Sequence, residues 1–205
     1  MVGISKLIGL KIPLVLASKS PRRKHLLNSL GFEFEVIPSD IDESLDGQLP
    51  AEAYAIHLAF SKAEDVASKL NYEALVLGSD TIVVLDEEII NKPETKEDAY
   101  MFLRNLSGKT HKVYTAIALI NSHTNSWLTD YKITEVTFRD LEDDEIWAYI
   151  ESGSPMDKAG AYGIQDDFGA VFVSHIQGCY YNIVGLPLEL LYNSIKKFIK
   201  ADLKC

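Results

Sequence analysis

The polar residues of this chain that could bind phosphate or move a proton concentrate in a few short segments. Ser18-Lys19-Ser20-Pro21-Arg22-Arg23 follows an apolar run, Leu14 to Ala17, and precedes a helix-like stretch. A turn from strand into helix points backbone N–H groups and the positive end of the helix dipole at any nearby anion, and Arg22 and Arg23 add forked donors. The same residues also make an ordinary Ser-Pro helix start followed by two solvated arginines, and the segment alone does not choose. In Gly78-Ser79-Asp80-Thr81 an acid sits among Val76, Leu77, Ile82 and Val83. A carboxylate placed there is desolvated unless a cation or donor meets it, which suits a metal ligand or general base. The alternative is an Asp capping its own backbone in a turn. Asp157 to Gln165, with Gly160, Tyr162 and Gly163, could hold a planar base by stacking and amide pairing, or equally be a glycine-rich connection whose Tyr packs on the core. Asp42-Glu43 and Asn91-Lys92-Pro93, taken singly, read as ordinary loop chemistry.

Common motifs are absent. There is no Gly-x-Gly-x-x-Gly, and the five histidines have no metal-ligand spacing such as His-Glu-x-x-His. Gly108-Lys109-Thr110 resembles the end of a P-loop, but the first glycine of that loop would fall on Leu103, and a helix precedes the segment where a P-loop needs one to follow.

The elements that must position these residues follow from periodicity and punctuation. Leu14 to Ala17 reads as a strand, and Ser20-Pro21 starts a helix that should stop at Gly31. Phe34 to Ile37 alternates as a strand, and the acidic stretch from Pro38 to Leu49, with Asp40, Asp42, Glu43 and Asp46, is a loop. From Pro50, Ala53, Ile56, Ala59, Phe60, Ala63, Ala67 and Leu70 recur at helical spacing. Ala74 to Gly78 and Ile82 to Leu85 read as two strand-like runs flanking Ser79-Asp80-Thr81, with Asp86-Glu87 turning a hairpin toward Ile89 and Ile90. Thr95 and Asp98 form a capping box for a helix to Leu106, closed by Gly108. Val113 to Ile120 and Tyr131 to Phe138 are β-branched and aromatic strands paired through Asn121 to Ser126. A helix spans Glu142 to Glu151, Pro155 to Gly169 has no clear period, Ala170 to Ile176 is a strand, and Pro187 to Ile199 is a final helix. The pattern predicts an α/β fold with a mixed sheet flanked by helices, and fits a purely parallel doubly wound sheet less well.

Composition limits the function classes. The chain has 205 residues, 47% hydrophobic and 24% charged, which suffices for an ordinary core and excludes disorder. That length suits one domain, or at most two small ones closely packed. Its 30 acids against 20 bases give a net charge of −10, which disfavours duplex nucleic acid and anionic membranes. A small anion remains compatible, because it responds to the field of one cleft. Two cysteines, Cys179 and Cys205, make no disulfide framework. No signal region and no apolar run near the ~20 residues of a membrane span is visible. The expectation is a soluble protein of a reducing compartment, the cytoplasm.

Together LVLASKSPRR, VLGSDTIV, NKP, LSGKTHKVYTA, MDKAGAYGIQ and NIVGLPLELL, in this order from Leu14 to about Leu190, resemble the Maf family of nucleoside triphosphate pyrophosphatases. The resemblance implies one Maf-like domain over residues 1–205, elongated, related to inosine triphosphate pyrophosphatases, with two lobes around a central cleft. It also implies cleavage of a nucleotide between its α and β phosphates. Uninterrupted Ser20-Pro21-Arg22-Arg23, Thr81 directly after Asp80, and Gly163-Ile164-Gln165 match the branch acting on dTTP and UTP rather than on 7-methyl-GTP. Position by position, Asp80 is the implied proton acceptor, and Arg22, Thr81 and Gln165 set substrate choice. Glu43, Lys62 and Lys92 fall where the family has active-site acidic and basic residues, and Ser18 lies in the phosphate-facing turn. Asp166-Asp167-Phe168 and Lys19 depart from the family's smaller residues.

The expected mechanism puts a divalent ion, Mg²⁺ or Mn²⁺, between the triphosphate and the carboxylates Glu43 and Asp80. Arg22, Arg23, Lys62 and Lys92 then neutralise the phosphates, while Asp80 activates water and Thr81 and Gln165 read the pyrimidine edge. The substrates include dTTP, UTP and modified pyrimidine nucleotides. The rivals are the same reaction on another base, and a non-catalytic nucleotide-binding regulator of cell division. A homodimer is compatible with the resemblance, although no periodic apolar patch marks an interface.

Overall fold

The computed structural model describes residues 4–43, 49–165 and 167–202. Asp46, Asp166 and Cys205 lie outside the described residues. In chain order the elements are α1 (Ile4–Ile8), β1 (Leu14–Leu16), α2 (Pro21–Ser29), β2 (Phe34–Val36), α3 (Ala51–Ala67), β3 (Leu75–Leu85), β4 (Glu88–Ile90), α4 (Lys96–Leu106), β5 (Thr110–Asn121), β6 (Trp127–Phe138), α5 (Asp143–Glu151), β7 (Val173–Gln177), α6 (Tyr180–Val184) and α7 (Leu188–Asp202). Three 3₁₀ turns, Ser154–Asp157, Ala159–Ala161 and Asp167–Phe172, fill the stretch without a clear period.

The seven strands form one mixed sheet in the order β2-β1-β3-β5-β6-β7, with β4 also on β3. The pairs β1–β2 and β1–β3 are parallel, and β3–β4 and β6–β7 are antiparallel. Asp86 and Glu87 both take positive φ, 51° and 66°, as a two-residue hairpin turn between β3 and β4 requires. The β5–β6 connection is closed by Asn121, whose Oδ1 accepts from the His123 and Thr124 amides and whose N–H donates to the Ser126 carbonyl. Thr95 caps α4 through the reciprocal bonds with Asp98 that the sequence predicts.

Four expectations change. The two strand-like runs around Ser79-Asp80-Thr81 are one continuous strand of 11 residues, β3. Pairing with β1 ends at Leu77 and pairing with β4 begins at Val83, so Ser79 to Ile82 fall between those two registers. On α3 the buried stripe is Ala55, Leu58, Ala59, Lys62, Ala63, Val66 and Ala67; it is rotated from the expected one, since Ile56 and Phe60 are only partly buried. Residues 170–172 belong to a 3₁₀ turn, and the strand starts at Val173. The short helices α1 and α6 have too few residues to show a period.

The chain divides into two compact units: unit 1 is Met1–Asp80, Ala116–Tyr131 and Gly185–Cys205, and unit 2 is Thr81–Thr115 and Lys132–Val184. Strands β3, β5 and β6 each contribute residues to both. The core of unit 1 gathers Leu14, Leu16, Leu27, Leu75, Leu77 and Leu119, with Leu191, Ile195 and Phe198 from one face of α7. The core of unit 2 gathers Leu103, Leu106, Phe138, Ile146, Tyr149 and Phe172. Its rings meet edge to face, Phe138 with Tyr162 at 4.8 Å and Tyr149 with Phe172 at 5.2 Å between centroids. Among the described residues no helix is long and apolar enough to cross a membrane.

Candidate active site

In unit 1, β1 runs into α2 through the Ser-Lys-Ser-Pro turn. Ser20 is the helix N-cap, its hydroxyl accepting from the Arg23 amide at 3.5 Å, and Pro21 takes the first helical position. Ser18 Oγ accepts from the Ser20 amide and from Arg23 Nη1, each at 3.2 Å. Arg23 Nε donates to the Gly185 carbonyl at 2.9 Å. Arg23 is therefore a buried brace joining the turn to the segment before α7, and the alternative of two solvated arginines fails for it; Arg22 is half-buried. Burial pushes the Arg23 guanidinium below its ordinary value, Asp80 and Glu43 pull it back up, and Arg22 adds to the lowering. Those charges all lie within its electrostatic reach.

Asp80 is 6% exposed and receives the cation its burial demands from α3: Lys62 Nζ lies 2.6 Å from Asp80 Oδ1. The same ammonium lies 2.8 Å from Glu43 Oε1. This ends the alternative of an Asp capping its own turn, because Asp80 sits inside a strand with an ionic partner from another element. One ammonium shared by two carboxylates offsets their mutual repulsion, and the Lys62–Asp80 attraction, buried on both sides, is less screened than that to the half-exposed Glu43. Tyr54, which the sequence reading did not single out, donates to the Glu43 carbonyl at 3.4 Å. Burial pushes its phenol up, and Asp80 and Glu43 push it further.

The close approach of α3 to β3 makes the Lys62–Asp80 pair reachable. A Cβ on Gly78 would lie 2.1 Å from the Ala59 carbonyl oxygen and 2.9 Å from Ala63 Cβ. Glycine on the strand and alanines on the helix thus set the spacing, and Lys62 projects from the same buried stripe.

Unit 2 carries Thr81, Lys92 and Gln165. Thr81 is the one residue of β3 that is not fully buried, and its Oγ1 lies 3.0 Å from Thr115 Oγ1. Lys92 is exposed in the loop after β4, where the Asn91 carbonyl accepts from the Gly160 amide at 3.2 Å. Gly160 takes φ +68°, and a Cβ there would meet Val83 at 2.9 Å. Tyr162 is buried; its hydroxyl bonds His111 Nε2 at 2.8 Å and its ring packs on Phe138. The ring is thus a core side chain, and base stacking by Tyr162 is excluded. Tyr149 Oη accepts from the Gly163 amide at 3.2 Å and so holds the loop leading to Gln165. Among the described residues the buried Gln165 Nε2 has no hydrogen-bond partner.

Each unit thus gathers part of the expected set. Ser18, Arg22, Arg23, Glu43, Lys62 and Asp80 converge in unit 1, and Thr81, Lys92 and Gln165 belong to unit 2. Tyr54 escaped the sequence reading, and Thr115, Asn182 and Gly185 fell within the strings that carry the resemblance without being given a role; Lys62 was named through the resemblance, and its place on the alanine stripe of α3 is a second signal for it. Among the described residues no group of three or more His, Cys, Asp or Glu side chains converges as a metal cage. Glu43 and Asp80 instead supply two hard oxygen donors, which fits a Mg²⁺-type ion completed by water and substrate phosphate.

Known proteins with similar sequences bear on this arrangement. The family described as Maf-like protein matches residues 13–198. A dTTP/UTP pyrophosphatase of Thermoanaerobacter sp. (strain X514) is 45% identical over 184 residues, 90% of this chain and 95% of the relative. One of Acetivibrio thermocellus is 48% identical over 199 residues, 94% of this chain and 98% of the relative. One of Clostridium perfringens (strain SM101 / Type A) is 46% identical over 185 residues, 90% of this chain and 96% of the relative. Among solved structures, a HAM1 protein from Coxiella burnetii matches with a TM-score of 0.44 at 19% identity, over 62% of this chain and 73% of that one.

Proposed function

Because the chain belongs to the Maf-like protein family, we propose that it hydrolyses dTTP and UTP between the α and β phosphates, releasing the monophosphate and pyrophosphate. The observation that carries the reading is the buried Lys62 ammonium held between Asp80 and Glu43. The relatives named dTTP/UTP pyrophosphatase support the substrate assignment.

Asp80, fixed by Lys62 through one oxygen, orients a water and takes its proton as the water attacks the α phosphorus. Glu43 and Asp80 would hold Mg²⁺ or Mn²⁺, which when bound supplies Lewis-acid polarisation and offsets charge on the phosphates. Arg22 adds a half-buried cation beside the Ser18 turn, and Arg23 holds that turn in shape. Lys92 is a further phosphate-neutralising cation. For the base, unit 2 offers Thr81 and Gln165, whose Nε2 has no partner among the described residues and is a donor suited to a pyrimidine carbonyl. The enzyme works on free nucleotides in the cytoplasm, and modified pyrimidine triphosphates fall within the same reading.

The test is pyrophosphate release from a panel of triphosphates with Mg²⁺, with and without EDTA. The expected result is monophosphate plus pyrophosphate from dTTP and UTP, abolished by EDTA. Preferred turnover of 7-methyl-GTP would move the chain to the other branch, and nucleotide binding without any turnover would favour a regulator.

A further inference from the structure

The parallel strands β1 and β2 diverge at one end of the sheet. Beyond the paired Leu16 and Val36, the Ile37 amide donates to the Leu16 carbonyl at 3.1 Å. From there β1 continues into the Ser18–Ser20 turn and α2, while the chain after β2 runs through residues 38–43 with neither helix nor strand. Lys19, three positions after Leu16, and Asp40, three after Ile37, meet across that divergence, with Lys19 Nζ 2.8 Å from Asp40 Oδ1.

Residues 39–43 carry Glu43, one of the two carboxylates on Lys62, and outside regular structure their place depends on ties from elsewhere. The helix α3 supplies three. The Asp65 carboxylate accepts from the Asp40 amide at 3.3 Å, the Tyr54 hydroxyl donates to the Glu43 carbonyl at 3.4 Å, and Lys62 Nζ lies 2.8 Å from Glu43 Oε1. Those contacts fix the segment to the helix. The Lys19–Asp40 pair fixes it to the phosphate-facing turn, where Ser18 and Arg23 interlock. The Asp40 hydrogen bond and charge hold the Lys19 ammonium above its ordinary value, and Glu43 adds to the rise, so the Glu43 charge lies within its reach.

We propose that Lys19 is a positioning residue, which with Asp40 ties residues 39–43 to the phosphate-facing turn and so sets where the Glu43 carboxylate stands for a divalent cation. This rests on the pyrophosphatase reading and gives a use to Lys19, which departs from the family's smaller residue. Both side chains are exposed, 69% and 74%, so the tie is modest and salt-sensitive. Its sign is distinctive. By charge alone, a lysine beside a metal site repels the metal, and removing it tightens binding. A lysine that holds a metal ligand in place does the opposite.

The experiment titrates Mn²⁺ into the nucleotide-free full chain by calorimetry, at low salt and at about 1 M salt, where the screening length is ~3 Å. The proteins are the wild type, Lys19→Ala, Asp40→Ala, the double alanine variant, and the exchanged pair Lys19→Asp with Asp40→Lys. At low salt each single alanine variant should bind Mn²⁺ about 3-fold to 5-fold more weakly, the size an exposed ion pair supports. The double alanine variant should be no weaker than the weaker single one, the exchanged pair should regain most of the loss, and the differences should fade at high salt. Tighter Mn²⁺ binding by Lys19→Ala overturns the inference, as does a loss that the exchanged pair does not recover. Unchanged Mn²⁺ binding with a raised KM for UTP in Lys19→Ala alone makes Lys19 a direct phosphate contact and overturns it too. A wild type that binds no Mn²⁺ does the same. Failure of the pyrophosphatase reading shows separately, as a wild type that releases no pyrophosphate from UTP or dTTP whatever the titrations give.

Discussion

In unit 1 the buried polar groups include three ions, Arg23, Lys62 and Asp80, beside the hydroxyls of Ser18 and Ser79, whereas in unit 2 they are mostly the neutral side chains Thr115, Thr134, Asn182 and His111. Lys158 is the charged exception in unit 2, with its ammonium on Asp157 at 2.8 Å. The two solutions have different uses. Ions act over several ångströms with little regard to direction, which suits holding and neutralising phosphates. Hydroxyls and amides project little field but distinguish donor from acceptor, which suits reading a base.

The contrast is open to breaking, beginning with the largest effect. Asp80→Asn should lower kcat for UTP by about 10² to 10⁴, the range for loss of a general base, with far-UV circular dichroism unchanged; wild-type turnover in that variant would remove the ionic half of the contrast. Lys62→Met leaves the Asp80 carboxylate buried without its ammonium and should cost about 3–5 kcal/mol in urea melts. Adding Asp80→Asn to Lys62→Met should then recover part of that loss, since the stranded charge is gone; a strictly additive double variant would show that burial of charge is not the cause.

The third concerns pH. Burial pushes the His111 imidazole down to about 4, against an ordinary value of 6.5. As pH falls through 6.5 the unfolded chain takes up the proton before the folded one, so stability drops between about 6.5 and 4 and the effect levels off below. The full drop is on the order of 3 kcal/mol, and His111→Gln should remove it. Glu145, held at about 2 chiefly by its hydrogen bond from Arg139, gives stability present above the ordinary carboxylate value of 4.5 and lost as pH falls toward 2. Its window thus lies mostly below that of the histidine, overlapping it only between 4.5 and about 4. A stability profile flat from pH 7 to 4.5 would show that His111 is not held neutral. The smallest effect is that of Thr115→Val on stability, about 1–3 kcal/mol, because the buried Asn182 carbonyl loses its neutral donor but no charge is stranded. A loss as large as that of Lys62→Met would erase the distinction between the units.

Local signals made much of the fold legible. The Thr95–Asp98 capping box, the Asp86-Glu87 hairpin and the β-branched runs of β5 and β6 each depend on residues a few positions apart. The polar triplet Ser79-Asp80-Thr81 looked like a break because its partner is 18 residues upstream on another element, and an acid in a strand reads as a turn until its cation is known. The phase of α3 was misread because the large apolar Ile56 and Phe60 pulled it away from the buried stripe, on which Ala55, Leu58, Lys62 and Val66 join the expected Ala59, Ala63 and Ala67. Arg23 could not be told from a solvated arginine, since the carbonyl it holds lies 162 positions away. The hydrogen bonds that link Thr81, Thr115 and Asn182 have no linear signature, because they join β3, β5 and α6.

Gly78 has a mechanical consequence. Where it meets α3, backbone faces backbone, and no flexible side chain lies between the strand and the Ala59 carbonyl to be compressed or to change rotamer. Thermal motion of ordinary cores is taken up by side chains, but this contact behaves as a hard stop. The separation between the Lys62 and Asp80 anchor points is thereby gauged by main-chain thickness alone, and it should drift little on warming until the helix itself detaches.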